Sequence, residues 1–294
     1  MKASAFAYAR ATSIDSALEL LGAHGDRAKV LSGGQSLMPA MNLRLIAPDL
    51  IVDIGGLIEL RGIMLQGTNL RIGALTRHID ILKSPEIATV APLLGEAVAH
   101  IGHPAIRNRG TIGGSLAHAD PASELPACLL ALDGTVIARG RGGERRVAAI
   151  DFFKGIFQTA LAADELLVAV ELPVVRQGST HFFHEFARRH GDYAIVGLAA
   201  QAVIEGGNFA DLRMGFFGVA DRPVLAKAAS RLVNAPVTAA LLADASDALG
   251  KGLDFQEDQQ ASAAMRRHLA RVLLARCVAT LLHRPELYSS GGVA

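Results

Sequence analysis

Two glycine pairs, each framed by hydroxyl residues, are the stretches of this sequence best suited to chemistry. The first is Ser32-Gly33-Gly34-Gln35-Ser36, and the second is Gly110-Thr111-Ile112-Gly113-Gly114-Ser115. A glycine pair reaches backbone angles closed to other residues and lets another group approach the main chain closely. Successive N–H groups can then turn inward as a nest for an anion, typically a phosphate. Thr111 and Ser115 would add hydroxyl donors at the rim. One such pair is most simply a turn; two with the same framing suggest a ligand with two phosphates. Asp120 and Glu124 follow the second pair. Either could accept hydrogen bonds from ligand hydroxyls or cap a helix beginning near Pro121, and their chemistry alone does not separate the two.

Other chemistries find less support. Asp53 lies downstream of Gly33 as a ribose-binding acid would, but Gly-Gly-Gln-Ser is not the G-x-G-x-x-G of a dinucleotide fold. Asp53 reads instead as a strand-end cap. His100, His103 and His118 straddle proline and glycine breaks with no metal-ligand spacing, so no metal site is expected. Ser32, Ser36 and Ser115 do not sit in a G-x-S-x-G elbow, so no hydrolase nucleophile is expected either. Arg188-Arg189-His190-Gly191-Asp192-Tyr193 reads as a solvated turn at the end of a strand.

The 294 residues suffice for a large core and about two domains. A net charge of +1 gives no field for nucleic acid or an acidic membrane. With 5% aromatics and no Trp, a base-stacking platform is not expected. No apolar run is long enough to span a bilayer, although mean hydropathy is +0.32. The N-terminus lacks a long apolar segment, so no secretory signal is expected. The two cysteines, Cys128 and Cys277, form no CxxC, which leaves no disulfide framework and no cysteine-held zinc or iron–sulfur centre within the chain. A cytoplasmic protein is the expectation.

The elements that must position the glycine pairs read as follows. Ser13 caps a helix ended by Gly22 and Gly25, and a buried strand at 28–31 runs straight into the first pair. A short helix is expected at 37–45 and a strand at 50–54. Strands are expected at 70–74, 135–138, 146–149 and 165–172, with helices started by Thr76, at 92–101 and at 124–131. Beyond residue 177, strand-like composition at 182–186, 194–204 and 212–219 precedes helices at 223–233, 238–250 and 262–283. In the last, Leu269, Leu273, Cys277 and Leu281 form the buried stripe, with Arg266, Arg267, Arg271 and Arg276 mostly off it. Residues 289–294 read as a frayed tail.

Ser32-Gly33-Gly34-Gln35-Ser36-Leu37, the stretch from Ile106 to Ser115 and Gly191-Asp192-Tyr193-Ala194, in this order, resemble the FAD-binding medium subunit of molybdenum hydroxylases, the carbon monoxide dehydrogenase and xanthine dehydrogenase family. The resemblance covers the chain to about Leu287. It implies an α+β fold: a two-subdomain FAD-binding domain of the vanillyl-alcohol-oxidase (PCMH) type at 1–176, with subdomains about 1–56 and 57–176. A smaller α/β C-terminal domain of the carbon monoxide dehydrogenase flavoprotein type would follow at 177–294. The first loop, with Lys29, Leu31, Ser32, Gly33, Gly34, Gln35, Ser36 and Leu37, and the second, with Thr111, Ile112, Gly113, Gly114 and Ser115, would hold the pyrophosphate and ribityl with backbone N–H groups. Ile101 and Leu167 would touch the flavin, Asp120 and Glu124 would meet adenosine and ribityl hydroxyls, and His118 belongs to the same set. Tyr193 would control access to one isoalloxazine face.

Two departures matter. Gln35 and Ser36 stand where some relatives in the wider fold carry a flavin-linking histidine, so FAD is expected to be non-covalent. His184 and Glu185 stand where some members carry a lysine toward the flavin pyrimidine. The implied role is electron transfer with no catalytic acid or base. Molybdopterin would sit on a large partner subunit and [2Fe–2S] clusters on a small one, in a dimer of heterotrimers, and the acceptor would be a quinone, NAD or oxygen. The alternatives are a self-sufficient flavin oxidase of the vanillyl-alcohol-oxidase type and a nucleotide-binding regulator without redox activity.

Overall fold

The computed structural model describes residues 2–176 and 178–290, the side chains of Ser289 and Ser290 excepted. Its first sheet is made of three short parallel strands, β1 (Ala7–Arg10), β2 (Ala28–Leu31) and β3 (Leu50–Asp53), in the order β1-β3-β2. Helix α1 (Ile14–His24) connects β1 to β2. The Ser13 hydroxyl caps it by accepting from the Ser16 N–H at 3.0 Å, and Ala17, Leu18 and Leu21 form its buried face. Gly22 lies inside this helix rather than at its end. Helix α2 (Leu37–Asn42) is shorter than the 37–45 expected, because Arg44 takes a left-handed backbone (φ 59°) and the Leu45 N–H turns back to the Ala40 carbonyl.

The middle of the chain forms strands β4 (Ile63–Gln66) and β5 (Asn69–Gly73), then six helices. These are α3 (His78–Lys83), α4 (Pro85–Val90), α5 (Pro92–His100), α6 (Pro104–Arg107), α7 (Ile112–His118) and α8 (Glu124–Ala131). Strands β6 (Thr135–Gly140) and β7 (Gly143–Ala148), helix α9 (Ala149–Phe152), the small ribbon of β8 (Phe153–Gly155) and β9 (Gln158–Thr159), and β10 (Leu166–Pro173) complete it. The five long strands pair antiparallel in the order β4-β5-β10-β6-β7.

The central strand β10 is buried from Leu166 to Leu172, as an apolar run covered on both faces must be. Leu166, Val168 and Ala169 face the core shared with the first sheet, whereas Leu167, Val170 and Leu172 face the helices. A register slip between Leu167 and Ala169 breaks strict alternation and turns the Val168 carbonyl to the Ala74 N–H at 3.0 Å.

Two expectations fail here for physical reasons. Thr76 does not cap α3, because its hydroxyl is engaged by both the N–H and the carbonyl of Gly62 at 3.1 Å. The second glycine pair is not an open loop either: Gly113 and Gly114 lie in the first turn of α7, held there by the Thr111 hydroxyl accepting from the Gly114 N–H at 3.1 Å.

The C-terminal region has an antiparallel sheet of β11 (Ser179–Phe186), β12 (Val196–Glu205), β13 (Asn208–Phe217) and β14 (Val224–Leu225). Helices α10 (Ala239–Gly252), α11 (Ala263–Leu281) and α12 (Glu286–Ser290) follow. The helix expected at 223–233 is instead the edge strand β14 and a 3-10 turn, Lys227–Leu232, because Val224 and Leu225 extend the sheet beside Phe216 and Gly215. The tail expected to fray falls partly on α12 and otherwise, at 291–294, outside the described residues. One face of this sheet, with Leu198, Ala200, Met214 and Phe216, packs in a core with α10 and α11, while Phe183, Ala199 and Phe217 join the core of the middle region. Helix α8 lies between the two regions with every residue buried. A methyl on Gly215 would overlap the Ala127 carbonyl, which is how closely α8 approaches β13.

Arg266 corrects the expected polar face of α11. It is only 5% exposed, and its guanidinium donates to the carbonyls of Ile195 and Gly218 and pairs with Asp258 at 2.6 Å.

Candidate functional site

The two glycine stretches meet. Strand β2 delivers Ser32 to the end of the parallel sheet, and its hydroxyl lies 2.7 Å from the Thr111 hydroxyl. Gly33 packs flush on the α6–α7 connection, where a methyl would overlap the Arg109 carbonyl oxygen and stand 2.9 Å from Gly110 Cα. Gly34 takes φ +73°, with Leu31 Cδ1 3.2 Å from where its methyl would be. Gln35 folds back to donate to the Gly33 carbonyl at 3.1 Å. Among the described residues, the N–H groups of Gly33, Gly34, Gln35 and Ser36 meet no protein acceptor. Four neighbouring main-chain donors in one turn are the chemistry of an anion cradle. Lys29 lies exposed on β2 beside Ile51 of β3, and Leu37 opens α2.

The second stretch is built differently. The Ile112 and Gly113 N–H groups donate to the carbonyls of Thr76 (3.0 Å) and Ala74 (2.9 Å), and the Ser115 N–H donates to the Thr111 carbonyl at 3.0 Å. With the Gly114 N–H taken by Thr111, the four amides from 112 to 115 are spent within the protein, so this stretch is not a second nest equivalent to the first. Gly113 is required for packing, since a methyl there would stand 2.6 Å from Ala74 Cβ. What the stretch can offer a ligand is hydroxyls.

Beneath it lies His78, 2% exposed, with Nε2 3.0 Å from Ser115 Oγ. Burial above all, with the Arg107 charge nearby, pushes its pKa down to about 4, against a smaller upward pull from the Thr111 backbone.

A second cluster gathers where α5, α8 and β11 meet. Arg107 donates to the Ile101 and Gly102 carbonyls at 2.8 Å and fixes the corner after α5. Gly191 (φ +85°) abuts that corner, 3.1 Å from the Gly102 carbonyl to its methyl position, and so carries Tyr193 to it. Arg188, Gly191, Asp192, Tyr193 and Gln260 line a cleft of about 410 Å³ there. Asp120 accepts from the Ala122 N–H at 2.9 Å and so organises the turn before α8.

Glu124 is 9% exposed. Burial first, and then the Glu185 and Asp120 charges, raise its pKa to about 8. Glu185, its side chain 5% exposed, pairs with His100 at 3.5 Å, and that contact raises the His100 pKa. Tyr193 is 58% exposed, and partial desolvation, with smaller effects of the Asp120 and Glu124 charges, raises its phenol pKa. His118 closes α7 and stacks on Phe157 at 4.8 Å. Leu167 marks the slip in β10.

The structure thus joins the two glycine stretches at one place, sets Asp120 in the turn before Glu124, and brings the Gly191 turn to the corner after Ile101. Sequence reasoning gave no role to His78 or Arg107, and met Glu185 only as a departure from the lysine of some family members. The Arg107 and His78 positions carry no local signal beyond a polar residue near a helix end, and their roles arise from tertiary contacts. No group of three or more metal-ligating side chains occurs among the described residues.

A parallel three-stranded sheet, an antiparallel five-stranded sheet and a donor-rich glycine junction between them define a nucleotide-cofactor-binding protein. Residues 4–175 match the FAD binding domain in molybdopterin dehydrogenase, and residues 181–281 match the CO dehydrogenase flavoprotein C-terminal domain. The chain is 41% identical over 286 residues to the 6-hydroxypseudooxynicotine dehydrogenase complex subunit alpha of Paenarthrobacter nicotinovorans, covering 97% of each. It superposes with a TM-score of 0.94 on a chain of the carbon monoxide dehydrogenase of Hydrogenophaga pseudoflava that lacks the Mo-pyranopterin moiety of its cofactor, at 34% identity, covering 97% of this chain and 99% of that one. For a chain of quinoline 2-oxidoreductase of Pseudomonas putida the TM-score is 0.89 and the identity 35%, covering 96% and 99%. The chain belongs to the FAD-binding medium subunits of the carbon monoxide dehydrogenase and xanthine dehydrogenase family of molybdenum hydroxylases, and is an oxidoreductase component.

Proposed function

We propose that this chain is the electron-transfer subunit of its complex, in which bound FAD would take electrons from [2Fe–2S] clusters on a small partner subunit, fed by a molybdopterin-binding large subunit, and deliver them to a quinone, NAD or oxygen. The observation that carries this reading is the junction of the two glycine stretches. Its four unpaired amides and the bridge between Ser32 and Thr111 fit a pyrophosphate approaching the main chain, and Gly33 lets the α6–α7 connection close directly onto that loop. The amides of Gly33, Gly34, Gln35 and Ser36 would cradle that anion, while Lys29, Leu31 and Leu37 shape the loop around it. Thr111 and Ser115 would contribute hydroxyls, with Ile112, Gly113 and Gly114 fixing the turn that carries them.

Ile101, Leu167 and Tyr193 would border the flavin, with Tyr193 controlling access to one face. Asp120, Glu124 and His118 would meet ribityl and adenosine groups. Gln35 and Ser36 offer no imidazole to link to a flavin, which supports non-covalent binding. Both cysteines are buried in separate cores, which supports placing the iron–sulfur clusters on a partner. We place the FAD-binding domain at 1–176 and the C-terminal domain at 177–294, in a cytoplasmic dimer of heterotrimers.

The test is to supply the FAD-loaded chain with a one-electron donor, reduced [2Fe–2S] ferredoxin, and separately with small alcohols and amines. Reduction of the flavin by ferredoxin, with no turnover of alcohol or amine, is expected. Turnover of an alcohol or amine by the chain alone would replace this reading with a self-sufficient oxidase.

A further inference from the structure

We propose that His78 holds its proton on Nε2 and donates it to Ser115 Oγ, which keeps the Ser115 hydroxyl as a hydrogen-bond donor for the ligand of the glycine junction. The proposal rests on the FAD reading of that junction and concerns a residue which that reading does not use. A neutral imidazole carries one N–H and one bare nitrogen, and the partner of each decides which is which. Here only Nε2 has a side-chain partner, Ser115 Oγ at 3.0 Å, while Nδ1 is buried without any. Gly110 of the α6–α7 connection lies close against this edge of the ring, where a methyl on it would stand 2.9 Å from Nδ1 and 2.8 Å from Cε1.

The two tautomers therefore differ in what they strand. With the proton on Nδ1, a buried N–H has no acceptor and the Ser115 proton is drawn into the protein toward Nε2. With the proton on Nε2, only a lone pair is left bare, and stranded N–H groups are the rarer defect in folded proteins. The His78 main chain is fixed independently by its N–H donating to the Gly110 carbonyl at 2.9 Å. The consequence is sharp because the amides of this stretch are spent: Ser115 has nothing but its hydroxyl to give a ligand, and the histidine decides whether that hydroxyl gives or takes. His78 is thus a positioning residue.

The test uses the full chain labelled with 15N-histidine, in which two-bond proton–nitrogen correlations report the His78 tautomer near neutral pH without FAD. A proton on Nε2 is expected, and a proton on Nδ1 overturns the proposal whatever FAD does. FAD titrations of S115A, H78L, H78Q and H78L/S115A then read the coupling. Loss of one hydrogen bond should weaken FAD binding about tenfold in S115A and in H78L. H78Q, whose amide nitrogen can occupy the Nε2 place, should recover most of that, and the double variant should be no weaker than S115A. Additive losses, or no rescue by H78Q, would overturn the donor role. An Nε2 proton combined with FAD affinity unmoved in S115A would instead remove the ligand from this stretch, and wild-type protein that binds no FAD at all would sink the FAD reading while leaving the tautomer measured.

Discussion

Glu124 is a carboxylic acid held in an environment that opposes its charge. A first-turn glutamate ordinarily sits in water, where it favours the positive end of a helix. Here α8 is wedged between two sheets, so Glu124 is buried and Glu185 shares the space. Its folded pKa of about 8 stands above the ordinary 4.5, so the native state holds this proton more tightly than the unfolded chain does. The stability it confers is complete below the ordinary value and is lost as pH rises toward about 8, by up to roughly 1.4 kcal/mol per pH unit. His78 works in the other direction: its folded pKa of about 4 lies below 6.5, so its contribution is lost as pH falls through that window. Between pH 6.5 and 8 only the Glu124 slope of these two remains. Thermal melts of wild type should therefore fall across that interval, and Glu124→Gln should make the fall shallower, leaving the part that comes from the raised pKa of His100. Parallel curves for the two proteins would show that Glu124 is ionised in the native state.

At the scale of elements, the site depends on backbones that touch. The loop after β2 and the connection between α6 and α7 are in contact at Gly33 and Arg109, and α7 in turn lies against Ala74 through Gly113. Gly33→Ala forces the two apart, and the open amides of 33–36 lose their register with the Thr111 and Ser115 hydroxyls. We expect at least a tenfold loss of FAD affinity, with a stability loss of about 1–3 kcal/mol typical of overpacking, read by FAD titration and by chemical denaturation. Unchanged FAD affinity would mean that the loop does not hold the cofactor.

The glycine pairs were visible in the sequence because the same framing by hydroxyl residues occurs twice. That Gly113 and Gly114 begin a helix was not, because alongside the Thr111 cap the Ile112 and Gly113 N–H groups need the carbonyls of Thr76 and Ala74, from another part of the chain. The helix expected at 223–233 failed likewise, since pairing with β13 outweighed local composition.

At the scale of the molecule, three sheets and one buried helix make a single supported arrangement. The first sheet presents Ser32, the middle region presents Thr111 and Ser115, and the C-terminal region brings Tyr193 to the Ile101 corner. The large elements were legible from periodicity and, for α1, from its Ser13 cap; the helices expected from 238 and 262 are also capped, by Thr238 and Ser262. The contacts that assemble the site were not, because Arg107, Glu185 and Arg266 act on carbonyls and side chains remote in sequence or on another element. Arg266 shows this best, since its charge suggested an exposed face while its partners Ile195, Gly218 and Asp258 hold it inside.

The most direct measurement is an absorption spectrum of the purified chain before and after acid precipitation, with chromatography of the supernatant. Flavin bands that pass wholly into the supernatant and co-migrate with FAD are expected from a junction that binds through amides and hydroxyls. Colour retained in the pellet would contradict non-covalent attachment, and a colourless protein that takes up no added FAD would contradict the assignment of the junction itself.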